Sequence, residues 1–139
     1  NVLVVDMGTA TTFCAIAKDK TYLGGVIQVG MRLAMDALQG GTAKLPSVEI
    51  VRPDKMLGES TKSSIQSGLY YGQLALIEAM ITKLKQEVFQ DEAMAVVGTG
   101  GFAHIFSDDG VFDCVIPNLV LFGLRDAYWL NQTQKVTNG

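Results

Sequence analysis

The residues best suited to chemistry lie in one short segment near the start of the chain, Asp6–Thr12. This segment joins two apolar runs, Val2–Val5 and Phe13–Ala17, so the pattern predicts a strand, a tight turn and a second strand. Gly8 removes a side chain where the backbone must turn closely. Backbone N–H groups and threonine hydroxyls at such a bend can bind phosphate oxygens, and the Asp6 carboxylate can hold a cation beside them. An ordinary hairpin with a solvated acid and strand-favouring threonines explains the segment equally well.

A second glycine-rich segment, Gly98–Gly101, follows the apolar run Ala93–Val97 and precedes a predicted short helix. A turn of this kind lets backbone lie flat against a base or ribose, or directs N–H groups at an anion. Its spacing is not that of the dinucleotide-binding fingerprint. Most strand-to-helix turns need a glycine, so the segment alone is a weak signal. Both segments follow predicted strands and could flank one cleft, and together they indicate a nucleotide site.

Hydrophobic periodicity and turn residues predict the elements that position these segments. The first predicted elements are the strands Asn1–Asp6, Thr12–Ala17 and Tyr22–Val29, followed by a helix that Gly30 opens and Gly40 and Gly41 stop. A long helix, capped by Ser60 or Thr61, is predicted to run to about Phe89. The remaining predicted elements are the strand Ala93–Val97, a short helix Phe102–Phe106, a short strand Val111–Val115, and a helix from Pro117 or Asn118 through Leu130. Three meandering strands followed by helices and parallel strands predict an α/β lobe of the ribonuclease H-like kind. In duplicate, that lobe builds the actin, Hsp70 and sugar-kinase superfamily.

The long helix carries two glycines, Gly68 and Gly72, on the same side. Small residues there allow close approach by another backbone or a ligand, although tight packing within the fold explains them as well. The segment Leu69–Tyr71 adds aromatic area suited to a subunit interface. The sequence leaves open whether this helix joins two subunits or simply covers the sheet.

Composition excludes several classes of protein. With 139 residues, 48% of them hydrophobic, the chain has the size of one domain or one lobe of a larger protein. Its 11 basic residues are scattered, which argues against a nucleic-acid partner. No apolar run approaches the roughly 20 residues that span a membrane. Cys14 and Cys114 offer no metal-ligand spacing and suit a reducing cytosol. His104 is the only histidine, so a Ser-His-Asp mechanism would depend wholly on it.

A two-metal nuclease is a further alternative for a ribonuclease H-like lobe, and it requires several clustered carboxylates. Asp6 is placed for that role, but Cys14 and Gln28 stand where further acids are wanted. Asp126 on the last helix is the only obvious late candidate. The sequence therefore disfavours the nuclease.

The motifs taken together resemble type III pantothenate kinase, from residue 2 to about residue 131. Five segments carry the resemblance, in this order: Asp6–Thr12, Tyr22–Ile27, Thr42–Pro46, Thr61 with Ile65–Gly68, and Thr99–Gly101. Each is weak alone, but five in sequence at plausible spacings are specific. On this basis residues 1–131 are expected to form the C-terminal ribonuclease H-like lobe, one half of an actin-like ATPase fold, and residues 132–139 a polar tail.

The resemblance implies a set of roles. Asp6 is implied as a ligand of a monovalent cation, K⁺ or NH₄⁺, and Thr61 as a contact of pantothenate. The implied ATP-binding residues are Gly8, Thr9, Thr11, Gly98, Gly100 and Gly101. The family further implies Mg²⁺, a cytoplasmic location and a homodimer with pantothenate near the subunit interface, with no nucleic acid or membrane involved.

The departures from the family pattern concern the catalytic machinery. The first phosphate loop and the Gly-x-Asp-Arg segment, with its general-base aspartate, are expected upstream of residue 1, so no catalytic residue is assigned in this chain. Cys14 stands where the family usually has aspartate. We therefore expect the chain to be the C-terminal part of a pantothenate kinase that makes 4′-phosphopantothenate for coenzyme A synthesis, and to be inactive alone. The alternative is an accessory or regulatory protein that keeps the lobe for binding and dimerisation.

Overall fold

The computed structural model describes residues 1–42 and 44–137. Its elements, in chain order, are β1 (Val2–Met7), β2 (Ala10–Ile16), β3 (Tyr22–Val29), α1 (Met31–Gly41), α2 (Thr61–Glu87), β4 (Ala95–Thr99), a short 3-10 helix (Ala103–Phe106), β5 (Cys114–Val115) and α3 (Leu119–Thr137). Ala43, in the segment Thr42–Pro46 that carries part of the resemblance, and residues 138–139 of the expected tail lie outside the described residues.

The strands form one five-stranded mixed sheet in the order β3-β2-β1-β4-β5. Strands β1, β2 and β3 pair antiparallel, whereas β4 and β5 run parallel to β1. The predicted α/β fold, with a three-stranded meander, parallel strands and flanking helices, is confirmed at this level. The central strand β1 brings Asp6 opposite Thr12 on β2 and opposite Thr99 on β4. The two glycine-containing segments therefore emerge at the same edge of the sheet.

The hydrophobic core lies between one face of the sheet and helices α1 and α2. Side chains alternate along β1, so that Leu3, Val5 and Met7 are buried while their neighbours face the other side. The buried apolar side chains of the two helices are Met31 and Met35 on α1, and Ile65, Leu69, Tyr70 and Ile77 on α2. Because α2 lies over the sheet along much of its length, a side chain in its middle can reach the strands that carry the candidate site.

The long helix begins with a reciprocal capping box. The Ser63 backbone N–H donates to Ser60 Oγ at 3.2 Å, and the Ser60 N–H donates to Ser63 Oγ at 3.0 Å. These two bonds satisfy backbone donors that the first helical turn leaves without partners. Of the two cap candidates, Ser60 is therefore the cap, and Thr61 is the first helical residue with its side chain exposed.

Several predicted boundaries were wrong. Strand β4 is Ala95–Thr99 rather than Ala93–Val97, because its parallel pairing with β1 continues to the end of that strand. Strand β5 is reduced to Cys114–Val115. Helix α3 continues to Thr137, well past the expected end at Leu130. The predicted start and end of α1 are confirmed, since Gly30 is its N-cap and the helix ends at Gly41.

Two of the three residues in the Leu69–Tyr71 segment of α2 are buried. Tyr70 is 1% exposed and Leu69 is 7% exposed, so both belong to the core and help the helix to cover the sheet. The two glycines of the helix, Gly68 and Gly72, are exposed, and a methyl group on either would meet nothing within 4 Å. Tight packing within the described residues therefore does not explain these glycines. Among those residues, no helix combines the length and apolar character needed to cross a membrane.

Candidate functional site

The Asp6 carboxylate lies between the two glycine-containing segments. A Cβ atom built on Gly100 would lie 2.4 Å from Asp6 Oδ1, and one built on Gly8 would lie 3.5 Å from the same oxygen. A side chain at position 100 would thus occupy the space of the carboxylate. The segments that the sequence predicted separately form one site around Asp6.

The glycine turn is held in place by its own backbone contacts. Gly100 has a φ of +86°, a conformation that L side chains rarely adopt. The Phe102 N–H donates to the Met7 carbonyl at 3.1 Å, and Thr99 Oγ1 donates to the Ile116 carbonyl at 2.7 Å. These bonds join the turn to the end of β1 on one side and to the segment after β5 on the other.

The first turn of α1 supports the Gly8–Thr9 bend from the opposite side. A Cβ on Gly30 would lie only 2.2 Å from the Thr9 carbonyl oxygen and 2.9 Å from that of Gly8. Gly30 therefore lets the helix begin directly against the bend, where its unpaired N–H groups and positive dipole end favour anions. The sequence predicts only a helix start at Gly30. Its position between a strand and a helix did not reveal that it contacts the bend.

The partners and acidic neighbours of the Asp6 carboxylate limit the chemistry of this site. Within the described part of the chain, no hydrogen bond or ion pair engages this half-buried group. In residues 1–42 and 44–137, no three acidic, cysteine or histidine side chains lie close enough together to hold a metal. A two-metal nuclease needs several carboxylates, so this single carboxylate does not provide its metal site.

The remaining nuclease candidates do not join Asp6. In the register of the sheet, Cys14 pairs with Val4 and Gln28 pairs with Thr11. Asp126 is exposed on α3, where Arg125 pairs with it at 2.7 Å. The arrangement of the described residues therefore also argues against a two-metal nuclease.

Thr9 and Gly101 are the members of the predicted ATP set most accessible to a ligand. The Thr9 side chain is exposed, and the space beside Gly101 is open to at least 4 Å. Both residues lie on the segments that enclose Asp6. A phosphate-bearing ligand could reach them without displacing other side chains.

Two residues of the predicted ATP set face inward. Gly98 is buried within β4, and a Cβ there would lie 2.7 Å from the Phe112 ring, so this glycine makes room for the ring. Thr11 is 1% exposed, and its Oγ1 accepts a hydrogen bond from Gln73 Nε2 at 3.2 Å. Because Gly98 and Thr11 are both buried, their positions do not indicate direct contact with a nucleotide. The predicted turn Gly98–Gly101 in fact begins after Thr99, because the strand extends further than expected.

Thr61 lies apart from the Asp6 site, in a groove between α1 and α2. The groove has a volume of about 870 Å³ and a mainly apolar lining that includes Leu38, Leu45, Ile65 and Gly68. The end of α1 at Gly41 lines it, whereas the start of α1 contacts the Gly8–Thr9 bend. Eleven helical residues span roughly 16 Å, so the two candidate sites lie at opposite ends of α1.

A cluster around the buried Tyr70 braces the segment that follows the glycine turn. Tyr70 stacks on Phe106 of the 3-10 helix, with ring centroids 5.0 Å apart, and its hydroxyl donates to Asp109 Oδ2 at 2.5 Å. Arg52 lies 3.2 Å from Asp109 Oδ1 and 5.7 Å from the Tyr70 ring centroid. Burial, followed by the hydrogen bond to Asp109, raises the pKa of Tyr70 well above its ordinary value. The cluster ties α2 and the loop at Arg52 to the connection between β4 and β5.

The comparisons with known proteins agree with the motifs. A family model described as type III pantothenate kinase matches residues 1–83. A type III pantothenate kinase from Legionella pneumophila (strain Corby) is 49% identical over 131 residues, covering 94% of this chain and 51% of the relative. Type III pantothenate kinase 1 from Francisella tularensis subsp. holarctica (strain OSU18) is 48% identical over 132 residues, covering 95% of this chain and 52% of the relative.

A solved structure supports the fold. It is the crystal structure of a Campylobacter jejuni protein assigned to the Baf family of transcriptional activators, with a TM-score of 0.64 and 22% identity. The match covers 96% of this chain and 59% of that one. The chain spans about half the length of the curated relatives it matches. From the family model and these relatives, the chain belongs to the type III pantothenate kinase family.

Proposed function

We propose that this chain is the C-terminal lobe of a kinase that transfers the γ-phosphoryl group of ATP to pantothenate, giving ADP and 4′-phosphopantothenate. The observation that carries the proposal is the enclosure of the Asp6 carboxylate between Gly8 and Gly100, with Thr9 and Gly101 open beside it. Phosphoryl transfer depends mainly on positioning and on charge neutralisation. A carboxylate-held cation next to a phosphate-binding bend provides both.

Each residue of the candidate site then has one role in binding. Asp6 holds K⁺ or NH₄⁺, which offsets phosphate charge, while Gly8 and Thr9 orient the phosphates through backbone N–H groups and the threonine hydroxyl. The turn at Gly100 and Gly101 lies on the adenosine side. Mg²⁺ binds mainly through the phosphates, as is usual for this ion. Thr11 and Gly98, both buried, support the site from behind.

Thr61 is proposed to contact pantothenate at the start of α2. Its exposed hydroxyl adjoins a largely apolar groove, which suits a substrate with both apolar and hydroxyl-bearing parts. The exposed Gly68 and Gly72 lie on the same helix and leave room for a second subunit. We place the subunit contact of a cytoplasmic homodimer on this side of the lobe, near the pantothenate site.

The strand order β3-β2-β1-β4-β5 supports a ribonuclease H-like lobe, one half of an actin-like ATPase fold. In that architecture ATP binds between two lobes. The general-base aspartate and the first phosphate loop belong to the other part of the kinase, which in this proposal precedes residue 1. The isolated 139-residue chain therefore binds part of the substrate set and transfers no phosphoryl group.

The direct experiment is to incubate the full-length protein that contains this chain with ATP, pantothenate, KCl and MgCl₂, and to detect 4′-phosphopantothenate by mass spectrometry. We expect product from the full-length protein and none from residues 1–139 alone. Absence of product from the full-length protein with every monovalent cation would sink the kinase assignment. That outcome would favour an accessory or regulatory protein that uses the lobe for binding and dimerisation.

A further inference from the structure

The middle of α2 carries a polar side chain on its buried face. Gln73 is 8% exposed and lies on the side of the helix that also buries Leu69, Tyr70 and Ile77. Placing an amide among apolar side chains is unfavourable unless the amide is hydrogen-bonded. Its Nε2 finds a partner in Thr11 Oγ1 at 3.2 Å, across 62 positions of the sequence.

Thr11 lies where β2 leaves the phosphate-binding bend. It pairs with Met7 in the antiparallel register, and the residues between them form the bend that contains Gly8 and Thr9. Its hydroxyl is buried, so an incoming ligand cannot be its partner. The hydrogen bond from Gln73 therefore fixes the β2 side of the bend.

The opposite side of the bend is fixed by a different contact. The Met7 carbonyl accepts a hydrogen bond from the Phe102 N–H, which belongs to the segment after the glycine turn. The bend is thus held at Met7 by the turn and at Thr11 by α2. Of these two supports, only the one at Thr11 is made by side chains, so substitution can remove it without altering the backbone.

We propose that Gln73 is a positioning residue for the phosphates of ATP, acting through the Thr11 hydroxyl on the Gly8–Thr9 bend. This inference rests on the proposed kinase function. The same helix begins at Thr61, twelve residues earlier, and the rise of an α-helix places Gln73 roughly 18 Å along it. Helix α2 thereby connects the pantothenate end of the lobe with its phosphate end.

The test uses the full-length kinase and the variants Gln73→Leu, Thr11→Val, their combination, and Thr11→Ser. Leucine and valine keep the approximate size of each side chain and remove the hydrogen bond, whereas serine keeps the hydroxyl. A misplaced bend is expected to lower kcat by roughly 10- to 100-fold, because small displacements of positioning groups have large effects on rate. The KM for pantothenate is expected to change less than about twofold, since Thr61 lies at the far end of the helix.

The pattern across the variants separates positioning from general damage. The double variant should be no slower than the slower single variant, since both remove one interaction. Thr11→Ser should keep kcat near that of the parent. Ser67→Ala is the matched control, because Ser67 is also buried on α2 but its hydroxyl donates to the Met56 carbonyl, away from the bend. It should lower thermal stability and leave kcat within about twofold.

Among the variants, three results would overturn the positioning role: a folded Gln73→Leu variant with the kcat of the parent, effects that multiply in the double variant, or equal activity of Thr11→Val and Thr11→Ser. If Gln73→Leu does not fold, the two Thr11 variants decide, since both retain Gln73. Binding of ATP to each variant, measured by calorimetry in KCl, is the readout that does not need turnover. If the parent binds ATP but forms no product, the proposed kinase function is contradicted. In that case a weaker ATP affinity of Thr11→Val than of Thr11→Ser still supports the positioning role of Gln73. A parent that binds no ATP overturns both.

Discussion

At the scale of single residues, the site depends on glycines, because a side chain at these positions would collide with its neighbours. Gly100 lacks the Cβ that would meet the Asp6 carboxylate, and Gly30 lacks the one that would meet the Thr9 carbonyl. Without these two Cβ atoms, the turn at Gly100 and the start of α1 can both pack closely around the Gly8–Thr9 bend. The account therefore predicts that adding a methyl group at either position disturbs the site more than it disturbs the fold.

Substituting Gly100 by alanine should displace the Asp6 carboxylate. The new Cβ would lie 2.4 Å from Asp6 Oδ1, and the φ of +86° adds strain of about 1–2 kcal/mol. In the full-length protein we expect a loss of potassium-stimulated activity between about tenfold, for a displaced carboxylate, and the roughly 100-fold effect of losing one well-placed electrostatic contact. Steady-state rates at saturating KCl, with circular dichroism to confirm folding, measure this effect.

Gly110→Ala is the matched control for that experiment. Gly110 also has a positive φ, +70°, but a Cβ there would meet nothing within 4 Å. It should therefore lose only the stability associated with φ strain and keep its potassium response. Equal losses of activity in the two variants would mean that strain alone, and not contact with Asp6, accounts for the effect of Gly100→Ala.

Substituting Gly30 by alanine should move the Gly8–Thr9 bend. The added Cβ would overlap the Thr9 carbonyl at 2.2 Å, and this atom is backbone that cannot rotate away. We expect the KM for ATP in the full-length protein to rise by roughly tenfold, equivalent to about 1.4 kcal/mol of lost binding. Gly40→Ala, in open space near the end of the same helix, should instead raise stability by up to about 1 kcal/mol. An unchanged KM for ATP in Gly30→Ala would show that the bend does not bind the phosphates.

At the scale of elements, α2 does more than cover the sheet. It begins with a capping box at Ser60, contacts Thr11 beside the Gly8–Thr9 bend through Gln73, and holds the β4–β5 connection through Tyr70. The last contact gives a pH-dependent stability. Because the pKa of Tyr70 is raised in the folded chain, the unfolded chain loses its phenolic proton first as pH rises above the ordinary value of 10.0. The stabilisation is complete below that pH and declines above it.

The Tyr70→Phe variant tests this relation. Near pH 7 it should be less stable than the parent by about 1 kcal/mol, through loss of the hydrogen bond to Asp109. Urea unfolding of both proteins between pH 7 and 11 should show the difference shrinking above pH 10, because only the parent loses the contribution of Tyr70. A difference that stays constant across this range would contradict the raised pKa.

The sequence predicted elements well where local chemistry decides them. The apolar run in β1 and the Gly30 and Gly40–Gly41 signals located a strand and a helix closely, because apolar runs and glycines act within a few residues. Strand pairing depends on residues that are distant in the sequence. The end of β4 was therefore misplaced, because only its pairing with β1 extends it to Thr99. The contact between Gln73 and Thr11 could not be predicted either, although a lone amide on an apolar helix face was a usable signal. The core position of Tyr70 depends on Phe106 and Asp109, which the sequence does not place beside it.

At the scale of the whole molecule, the proposed function makes this chain one side of a site formed between two lobes. Asp6, Thr9 and Gly101 lie at one edge of the sheet, with Thr9 and Gly101 exposed, and the proposed function assigns the general base to a part of the kinase outside this chain. The relatives are about twice as long as this chain, which leaves room for a second lobe in the complete enzyme. The isolated lobe should therefore supply the cation and phosphate contacts without the chemistry.

The potassium response of Asp6→Asn in the full-length protein measures whether the Asp6 carboxylate holds the proposed cation. Asparagine keeps the shape of the side chain and removes the charge that holds the cation. In the full-length protein, the parent should form 4′-phosphopantothenate at a rate that rises with KCl to saturation. Asp6→Asn should show no such rise and a rate lower by roughly 100-fold, the size expected for loss of one preorganised electrostatic contact. A folded Asp6→Asn protein with the parent's rate and half-saturating KCl concentration would contradict the assignment of Asp6 as the cation ligand.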